Sequence, residues 1–159
     1  MARRSDGSQE EALKSAVKFL SYRARSEAEV QTKLSQLGYS QEIIGATLQK
    51  LRGLNYLDDE VFARDWALGR AEGRGYGPLR IERELQQKGI AKSVISQVVK
   101  ETFGQQEGKE RARALLEKRF RGKDLDDRKV LQRAVAFLQR RGYRSSVIAE
   151  VLRIPLGDD

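Results

Sequence analysis

One pattern occurs three times in this sequence, and the repeat constrains the fold more than any other feature. Each copy has a leucine, three variable residues, a glycine and an apolar residue, followed after a short gap by two branched aliphatics and a further aliphatic. The leucines that open the copies are Leu34, Leu85 and Leu138, which lie 51 and 53 residues apart. A recurrence of this length is typical of repeat architectures, so the sequence predicts tandem units with one common structure.

Each copy also carries the signals that end and begin helices. Gly38, Gly89 and Gly142 stand where a helix must stop, and glycine adopts the required positive φ without steric cost. Ser26 begins a capping box, in which its side chain accepts from the amide of Glu29 and the Glu29 carboxylate bonds back to the Ser26 amide. Apolar residues at positions 13, 16, 17 and 20 keep the spacing of one helical face.

These signals predict an all-α fold, an elongated and curved array of three tandem three-helix repeats with about nine helices. The repeats are expected at residues 10–53, 54–104 and 105–155. Because three short helices bury only a small core, neighbouring repeats must cover one another. The predicted helices span residues 10–23, 27–37, 41–52, 58–72, 78–88, 92–103, 107–120, 126–141 and 145–153.

The glycine-rich segment 69–77, and its end at 73–77 above all, is predicted to be a mobile loop. Tyr76 in this segment has no partner at helical spacing, and an exposed tyrosine beside Arg74 could contact a binding partner. The segment 104–108 is expected to be a linker, and the tail 156–159 a frayed end.

The composition excludes several classes of function. The chain has no cysteine and no histidine, which removes disulfides, zinc ribbons, cysteine nucleophiles and histidine-based triads. No motif pairs a nucleophile with a base, so the sequence does not predict an enzyme, and it implies no cofactor and no metal. No apolar run reaches the roughly 20 residues of a membrane-spanning helix. We therefore expect a soluble, cytoplasmic and monomeric protein with no membrane partner.

Two acidic pairs and one aromatic pair have structural explanations. Asp58–Asp59 and Asp126–Asp127 could be proposed as paired carboxylates, but both stand at predicted helix starts, where acidic residues cap amides and suit the helix dipole. Phe62 and Trp66 lie four residues apart on one predicted helix and therefore face the same way. This spacing favours core packing over a platform on which bases would stack.

Charge predicts an anionic partner. The formal net charge is +8, and residues 106–159 alone carry 14 basic and 9 acidic side chains. Arginine outnumbers lysine, and its planar guanidinium group matches phosphate and carboxylate geometry. For any single arginine, the dipole of a nearby helix C-terminus is an alternative explanation. Basic residues collect at the junctions between predicted helices, and the candidates for contact with an anionic partner are Arg23, Arg25, Arg70, Arg74, Arg80, Arg140, Arg141 and Arg144.

Two stretches of the chain resemble the signatures of the RecX family. The first runs over residues 23–30 (Arg-Ala-Arg-Ser-Glu-Ala-Glu-Val) and continues with Lys33, Leu34 and Gly38. The second opens with Leu54-Asn-Tyr-Leu-Asp-Asp59 and continues with Phe62, Ala63, Trp66, Arg70, Gly77, Ile81, Glu84, Leu85, Lys88, Gly89 and Ile90. The resemblance covers residues 11–103, and the third repeat carries fewer family-typical residues.

The resemblance implies tandem three-helix repeats, in agreement with the periodicity, and a non-enzymatic regulator of the bacterial RecA recombinase. Proteins of this family bind the RecA–DNA filament, lie in its helical groove and restrain ATP hydrolysis, strand exchange and filament growth. DNA repair, homologous recombination and the SOS response are the processes affected. On this reading, the candidate arginines form part of a face toward the filament or toward DNA phosphates.

Two other classes of function stay open. A non-specific DNA-binding helical-repeat protein would bind weakly, with steep salt dependence and little sequence preference. Sequence-specific readout is disfavoured, because no helix concentrates Arg, Asn and Gln at its exposed N-terminal end. A pure protein–protein scaffold would instead bind its partner without DNA and with less dependence on salt.

Overall fold

The computed structural model describes residues 8–155, apart from the side chain of Gln105. Within this range the chain forms nine α-helices and no strand, which confirms the predicted all-α class. Each observed helix begins and ends within two residues of its predicted bounds. The helices are α1 (Gln9–Tyr22), α2 (Glu27–Gln36), α3 (Gln41–Gly53), α4 (Asp59–Arg74), α5 (Pro78–Gln87), α6 (Lys92–Phe103), α7 (Gln105–Arg119), α8 (Arg128–Arg141) and α9 (Ser145–Leu152).

The repeated leucine, glycine and apolar residue form one local structure at the end of α2, α5 and α8. The glycines Gly38, Gly89 and Gly142 adopt φ values of 88°, 75° and 95°. In the first copy the amide of Gly38 donates to the carbonyl of Ser35 at 3.0 Å, and the amide of Tyr39 donates to the carbonyl of Leu34 at 3.2 Å. This is the Schellman arrangement, in which the residue after the glycine packs against the residue that opens the motif. The other two copies repeat both bonds, which explains why the leucine and the apolar residue recur together.

Side chains cap the N-termini of several helices, as the sequence predicts. Ser26 accepts from the amide of Glu29 and the Glu29 carboxylate accepts from the Ser26 amide, which confirms the capping box. Asp58 caps α4 and Asp127 caps α8, each accepting from two backbone amides. Asp59 does not cap its own helix, because its carboxylate accepts from the amide of Glu27 in the first repeat at 2.9 Å.

Three separate apolar cores follow one another along the chain, one in each repeat. Phe103 packs against the second core and the third, so it links the two at the α6–α7 corner. The substantial contacts between helices lie within repeats, apart from those of α6 with α7. This arrangement in series is that of a repeat array, and its curvature stays a prediction. The largest fully buried aliphatic side chains are Val30, Leu34, Ile44 and Leu51 in the first core, Ile81, Leu85 and Val98 in the second, and Leu138 in the third.

The middle helices of the three repeats meet end to end. The amides of Gly77 and Leu79, at the start of α5, donate to the carbonyls of Arg141 and Gly142 at the end of α8. At the equivalent place one repeat earlier, the Ser26 hydroxyl at the start of α2 donates to the carbonyl of Lys88 at 2.7 Å. Amides at a helix start and carbonyls at a helix end lack hydrogen-bond partners inside their own helices. At each junction, the neighbouring repeat provides partners for some of these groups.

The prediction of a mobile loop at 69–77 was wrong. Helix α4 continues to Arg74, and Gly75 ends it with a φ of 67°. Tyr76 is only 7% exposed and belongs to the second core, so it is not an exposed contact residue. The segment is ordered by the third repeat, which provides the carbonyls that accept from Gly77 and Leu79.

The prediction of a linker at 104–108 was also wrong. Helix α6 ends at Phe103 and α7 begins at Gln105, so that Gly104 alone separates them. The amide of Gly108 donates to the carbonyl of Gly104 at 3.1 Å, which places Gly108 inside α7. The predicted frayed tail, residues 156–159, lies outside the described residues.

Candidate functional site

Among the candidate arginines, all but Arg140 lie next to a junction between two repeats. At the first junction, a carboxylate on α2 gathers several cations. The Glu29 carboxylate accepts from Arg23 Nη2 at 2.5 Å and from Lys88 Nζ at 3.3 Å, and Arg25 Nη1 lies 3.9 Å from it. Burial alone would raise the pKa of Glu29, but hydrogen bonds from Arg23 and the Ser26 amide, with the neighbouring positive charges, lower that pKa below its ordinary value. Glu29 therefore ties the first repeat to the second as an ionised group.

Arg25 is mainly a packing residue. Its guanidinium carbon lies 3.9 Å from the centroid of the Phe19 ring, and its side chain is only 15% exposed. A guanidinium in this position is attracted by the electrons of the ring face while its stem covers apolar surface. Of the two candidates on this side of the junction, Arg23 is the more accessible, at 42%.

Trp66 is the centre of a second cluster at the same junction. Its ring stacks with Phe62 at 5.7 Å between centroids, and its Nε1 donates to Glu84 at 3.2 Å. Arg70 and Lys88 lie over the ring, at 4.3 and 5.0 Å from its centroid. The core-packing interpretation of the aromatic pair is confirmed, because Phe62 is buried and Trp66 packs against the second core.

At the second junction, two candidates have different partners. Arg144 donates to the Glu82 carboxylate at 2.7 Å and so joins the third repeat to the second. The guanidinium carbon of Arg80 lies 3.8 Å from the centroid of the Tyr76 ring. The tyrosine that was expected to be exposed therefore acts from inside, as the support of an exposed arginine.

Arg74 and Arg141 meet across the same junction. The Arg141 guanidinium donates to the backbone carbonyl of Arg74 and lies 5.1 Å from the centroid of the Phe137 ring. The contact satisfies a carbonyl at the C-terminal end of α4, a common use of arginine at helix ends. The side chain of Arg74 itself is exposed.

Five of the seven arginines at the junctions fall into two groups, whereas within the described residues Arg25 contacts both a ring and a carboxylate and Arg74 contacts neither. Arg23 and Arg144 are neutralised by carboxylates. Arg70, Arg80 and Arg141 lie on aromatic rings, and the structure records no salt bridge for them within residues 8–155. A ring holds the plane of the guanidinium without occupying its N–H donors, so Arg70 and Arg80 can offer those donors to an external phosphate or carboxylate. Arg141 already uses one donor on the carbonyl of Arg74.

Arg140 lies away from the junction, beside cations that sequence reasoning did not single out. It lines a cavity of about 290 Å³ with Arg119, Lys123 and Arg133, and Arg119 also lines a neighbouring cavity of about 630 Å³ with Arg74, Lys118 and Arg141. The cations that were not predicted, Lys118, Arg119, Lys123 and Arg133, come from α7, from α8 and from the loop between them, so no local motif marks them. The only signal in the sequence is the excess of basic residues in the last third of the chain.

The two tyrosines that follow repeat glycines, Tyr39 and Tyr143, are buried and have a structural role. Tyr39 and Tyr143 are 4% and 3% exposed. Burial raises the pKa of Tyr143 to about 12, despite the opposing charge of Arg111, so its hydroxyl stays protonated at neutral pH. Its ring packs edge-on against Phe103 at 6.1 Å between centroids.

The described part of the chain shows neither a cluster of metal ligands nor a helix that could span a membrane. Residues 8–155 bring together no group of three or more acidic side chains that could hold a metal ion. None of the described helices combines the length and the apolar character needed to cross a membrane.

The chain matches family models along most of its length. Residues 12–51 match the first three-helix domain of RecX, residues 58–99 match the second, and residues 105–152 match the third. The three matches follow one another in the same order as the three cores of the structure.

Individual relatives agree with the family models. The chain is 32% identical over 156 residues to the regulatory protein RecX of Mycolicibacterium smegmatis, with 95% of this chain and 82% of that protein covered. It is 34% identical over 148 residues to the regulatory protein RecX of Mycobacterium ulcerans, with 91% and 84% covered.

Two crystal structures have the same fold. RecX from Lactobacillus salivarius superposes with a TM-score of 0.79 at 21% identity, over 91% of this chain and 94% of that one. A second structure, titled as that of regulatory protein RecX, gives a TM-score of 0.73 at 29% identity, over 91% and 71%. Three domain matches in order, relatives above 30% identity and this common fold show that the chain belongs to the RecX family of regulatory proteins.

Proposed function

We propose that the protein is a non-catalytic regulator that binds the RecA–DNA filament and modulates, mostly by inhibition, the RecA ATPase, strand exchange and filament extension. Membership of the RecX family carries this proposal, since the relatives are named as regulatory proteins. Through RecA, the protein would affect DNA repair and homologous recombination in the cytoplasm.

The ring-held arginines support the proposal by supplying a means of contact. The ring-held arginines are Arg70 and Arg80, whose guanidinium carbons lie 4.3 Å from the centroid of Trp66 and 3.8 Å from the centroid of Tyr76. A guanidinium that is already oriented loses less side-chain entropy when it binds an anion than a mobile one does. A filament of recombinase and DNA presents both phosphates and carboxylates to such groups.

Binding to preformed filaments tests the proposal. Fluorescently labelled protein is titrated with RecA assembled on single-stranded DNA in the presence of a non-hydrolysable ATP analogue. The double variant Arg70→Glu/Arg80→Glu should bind about a hundredfold more weakly or worse, since it loses two charge-assisted hydrogen bonds that are worth about 1.5–3 kcal/mol each.

The matched control is Lys18→Glu/Lys50→Glu, which changes the net charge equally on exposed positions of the first repeat. This control should bind within about twofold of the unmodified protein, because surface charges outside an interface act mainly by weak, screened attraction. Absence of filament binding by the unmodified protein would refute the proposal. Equal weakening in the two double variants would refute the role given to the ring-held arginines.

A further inference from the structure

Two neighbouring cavities, at the end of α4 and along α7 and α8, form a strongly basic concave surface. Their volumes are about 630 and 290 Å³, and both are lined by Arg119 and Phe137. Six cations on this surface have exposed side chains, and we call them together the Phe137 basin: Arg74, Lys118, Arg119, Lys123, Arg133 and Arg140.

The cations of the Phe137 basin have few internal counter-charges. Glu72 is the only carboxylate among the described residues that line the two cavities. Within residues 8–155, none of the six cations takes part in a salt bridge. Elsewhere in the same repeat, Lys109 pairs with Glu150 and Arg144 with Glu82, each at 2.7 Å. The six basin cations are therefore not neutralised by a carboxylate of the described chain, and all six are exposed to solvent.

Helix dipoles explain only part of this arrangement. Arg74, Lys118, Arg119 and Arg140 lie in the last turns of α4, α7 and α8, where the dipole favours positive charge. Arg133 lies inside α8 and Lys123 lies beyond the end of α7, so the dipole does not account for them. Like charges held on one concave surface repel one another, and binding an anion relieves that repulsion.

We propose that the Phe137 basin binds the phosphate backbone of a single-stranded nucleic acid. The inference goes beyond regulation of RecA and does not depend on it. Cations line both cavities, and interfaces with nucleic acids are much more positively charged than interfaces between proteins. The surface is concave, so it suits one flexible strand better than a duplex, whose grooves receive convex protein elements.

The aromatic residues that line the basin are poorly placed to stack with bases. Phe137 and Tyr76 are each only 7% exposed, and Phe120 packs edge-on against Phe137 at 5.8 Å between centroids. Binding therefore comes from phosphate contacts alone and has little base preference. Its affinity must then fall steeply with salt, because each phosphate contact releases counterions.

The test measures binding of a fluorescein-labelled oligothymidylate to the full chain by anisotropy, without RecA, at several salt concentrations. The double variant Arg119→Gln/Arg133→Gln should bind at least about tenfold more weakly at low salt. Its slope of log affinity against log salt should be shallower by about 1.4, since each contact with a single strand contributes about 0.7. The matched control Lys18→Gln/Lys50→Gln removes the same charge from exposed positions of the first repeat and should stay within about twofold.

Several outcomes would overturn the inference. They are the absence of saturable binding by the unmodified protein, equal loss in the two double variants, and equal or tighter binding of a duplex of the same length. Tighter binding of a polyglutamate peptide, lost in the same variant, would assign the basin to an acidic protein segment instead. The thermal midpoint of the basin variant should not fall, because two mutually repelling charges are removed. If it falls, Lys123→Gln/Arg140→Gln tests the same surface with the same expected losses.

Discussion

The backbone amide of Gly77 donates to the carbonyl oxygen of Arg141 at 2.6 Å, across the junction between the second and third repeats. The approach is so close that a Cβ atom on Gly77 would lie 2.7 Å from the carbonyl carbon of Gly142. Direct backbone hydrogen bonds therefore join the second and third repeats, in addition to side-chain contacts, whereas the hydrogen bonds that the described residues form across the junction between the first and second repeats all involve a side chain. This difference allows the two junctions to be tested separately.

Substitution of Gly142 should destabilise the protein strongly. In Gly142→Ala, the new Cβ would lie 2.6 Å from the Cβ of Arg80, and φ is 95°. Backbone strain of about 1–2 kcal/mol and overpacking of about 1–3 kcal/mol together predict a loss of about 2–5 kcal/mol. The matched control is Gly122→Ala, where φ is 75° and no atom lies within 4 Å of the new Cβ, so only the strain is expected. Urea unfolding of both variants measures the difference, and equal losses would contradict the close packing of this junction.

A paired substitution tests the first junction. A Cβ on Gly89 would lie 2.4 Å from the Cβ of Ala28, while φ at Gly89 is 75°. Gly89→Ala should therefore lower the free energy of unfolding by about 2 kcal/mol or more, through both strain and clash. Relative to Ala28→Gly alone, adding Gly89→Ala should cost less than in the unmodified protein, because the clash is absent. Strict additivity in this double-mutant cycle would show that the two positions do not touch.

Ser26 should matter more than an ordinary helix cap. Its side chain is completely buried, accepts from the amide of Glu29 and donates to the carbonyl of Lys88 in the next repeat. Loss of a cap costs about 1 kcal/mol, and loss of the part-buried hydrogen bond to the Lys88 carbonyl adds about 1 kcal/mol or more. Ser40→Ala is the control, since Ser40 caps α3 from an exposed position with a single bond to the amide of Ile43. Thermal or urea unfolding that gave equal losses would exclude a role for Ser26 between the repeats.

Acid should weaken the first junction through Glu29. The pKa of Glu29 is lowered in the folded protein from an ordinary value of 4.5, despite burial, by Arg23, the Ser26 amide and Lys88. The stabilisation is fully present above the unfolded pKa and is lost as the pH falls below about 4.5 through the folded pKa. Glu29→Gln should therefore destabilise the protein at pH 7, and this penalty should shrink as the pH falls toward 3. Urea unfolding at both pH values measures this, and a penalty independent of pH would contradict ionised pairing.

The helix ends and caps that depend on contacts between residues close in the sequence could be predicted from the sequence alone. The three repeat glycines end helices as predicted, because leucine, glycine and the following apolar residue form a motif within six residues. The Ser26–Glu29 box spans four residues and was equally readable.

Contacts between distant parts of the chain were not predictable in this way. The segment at Tyr76 has the composition of a mobile loop, yet it is ordered by carbonyls of Arg141 and Gly142, more than 60 residues later. Lys88 and Glu29 pair across 59 residues. The cations of the Phe137 basin come from three helices and the loop after α7. Arg74 and Arg140 were predicted as contact candidates, but their grouping with Lys118, Arg119, Lys123 and Arg133 was not.

The RecA ATPase on single-stranded DNA, with this protein added well below one molecule per RecA, tests the central claim most directly. A regulator that acts on the assembled filament should lower the steady-state rate far beyond its molar fraction, because one bound molecule affects many RecA subunits. In the same assay, Arg70→Glu/Arg80→Glu should inhibit much less than Lys18→Glu/Lys50→Glu. A rate unchanged by the unmodified protein, even at equimolar amounts, would contradict the account.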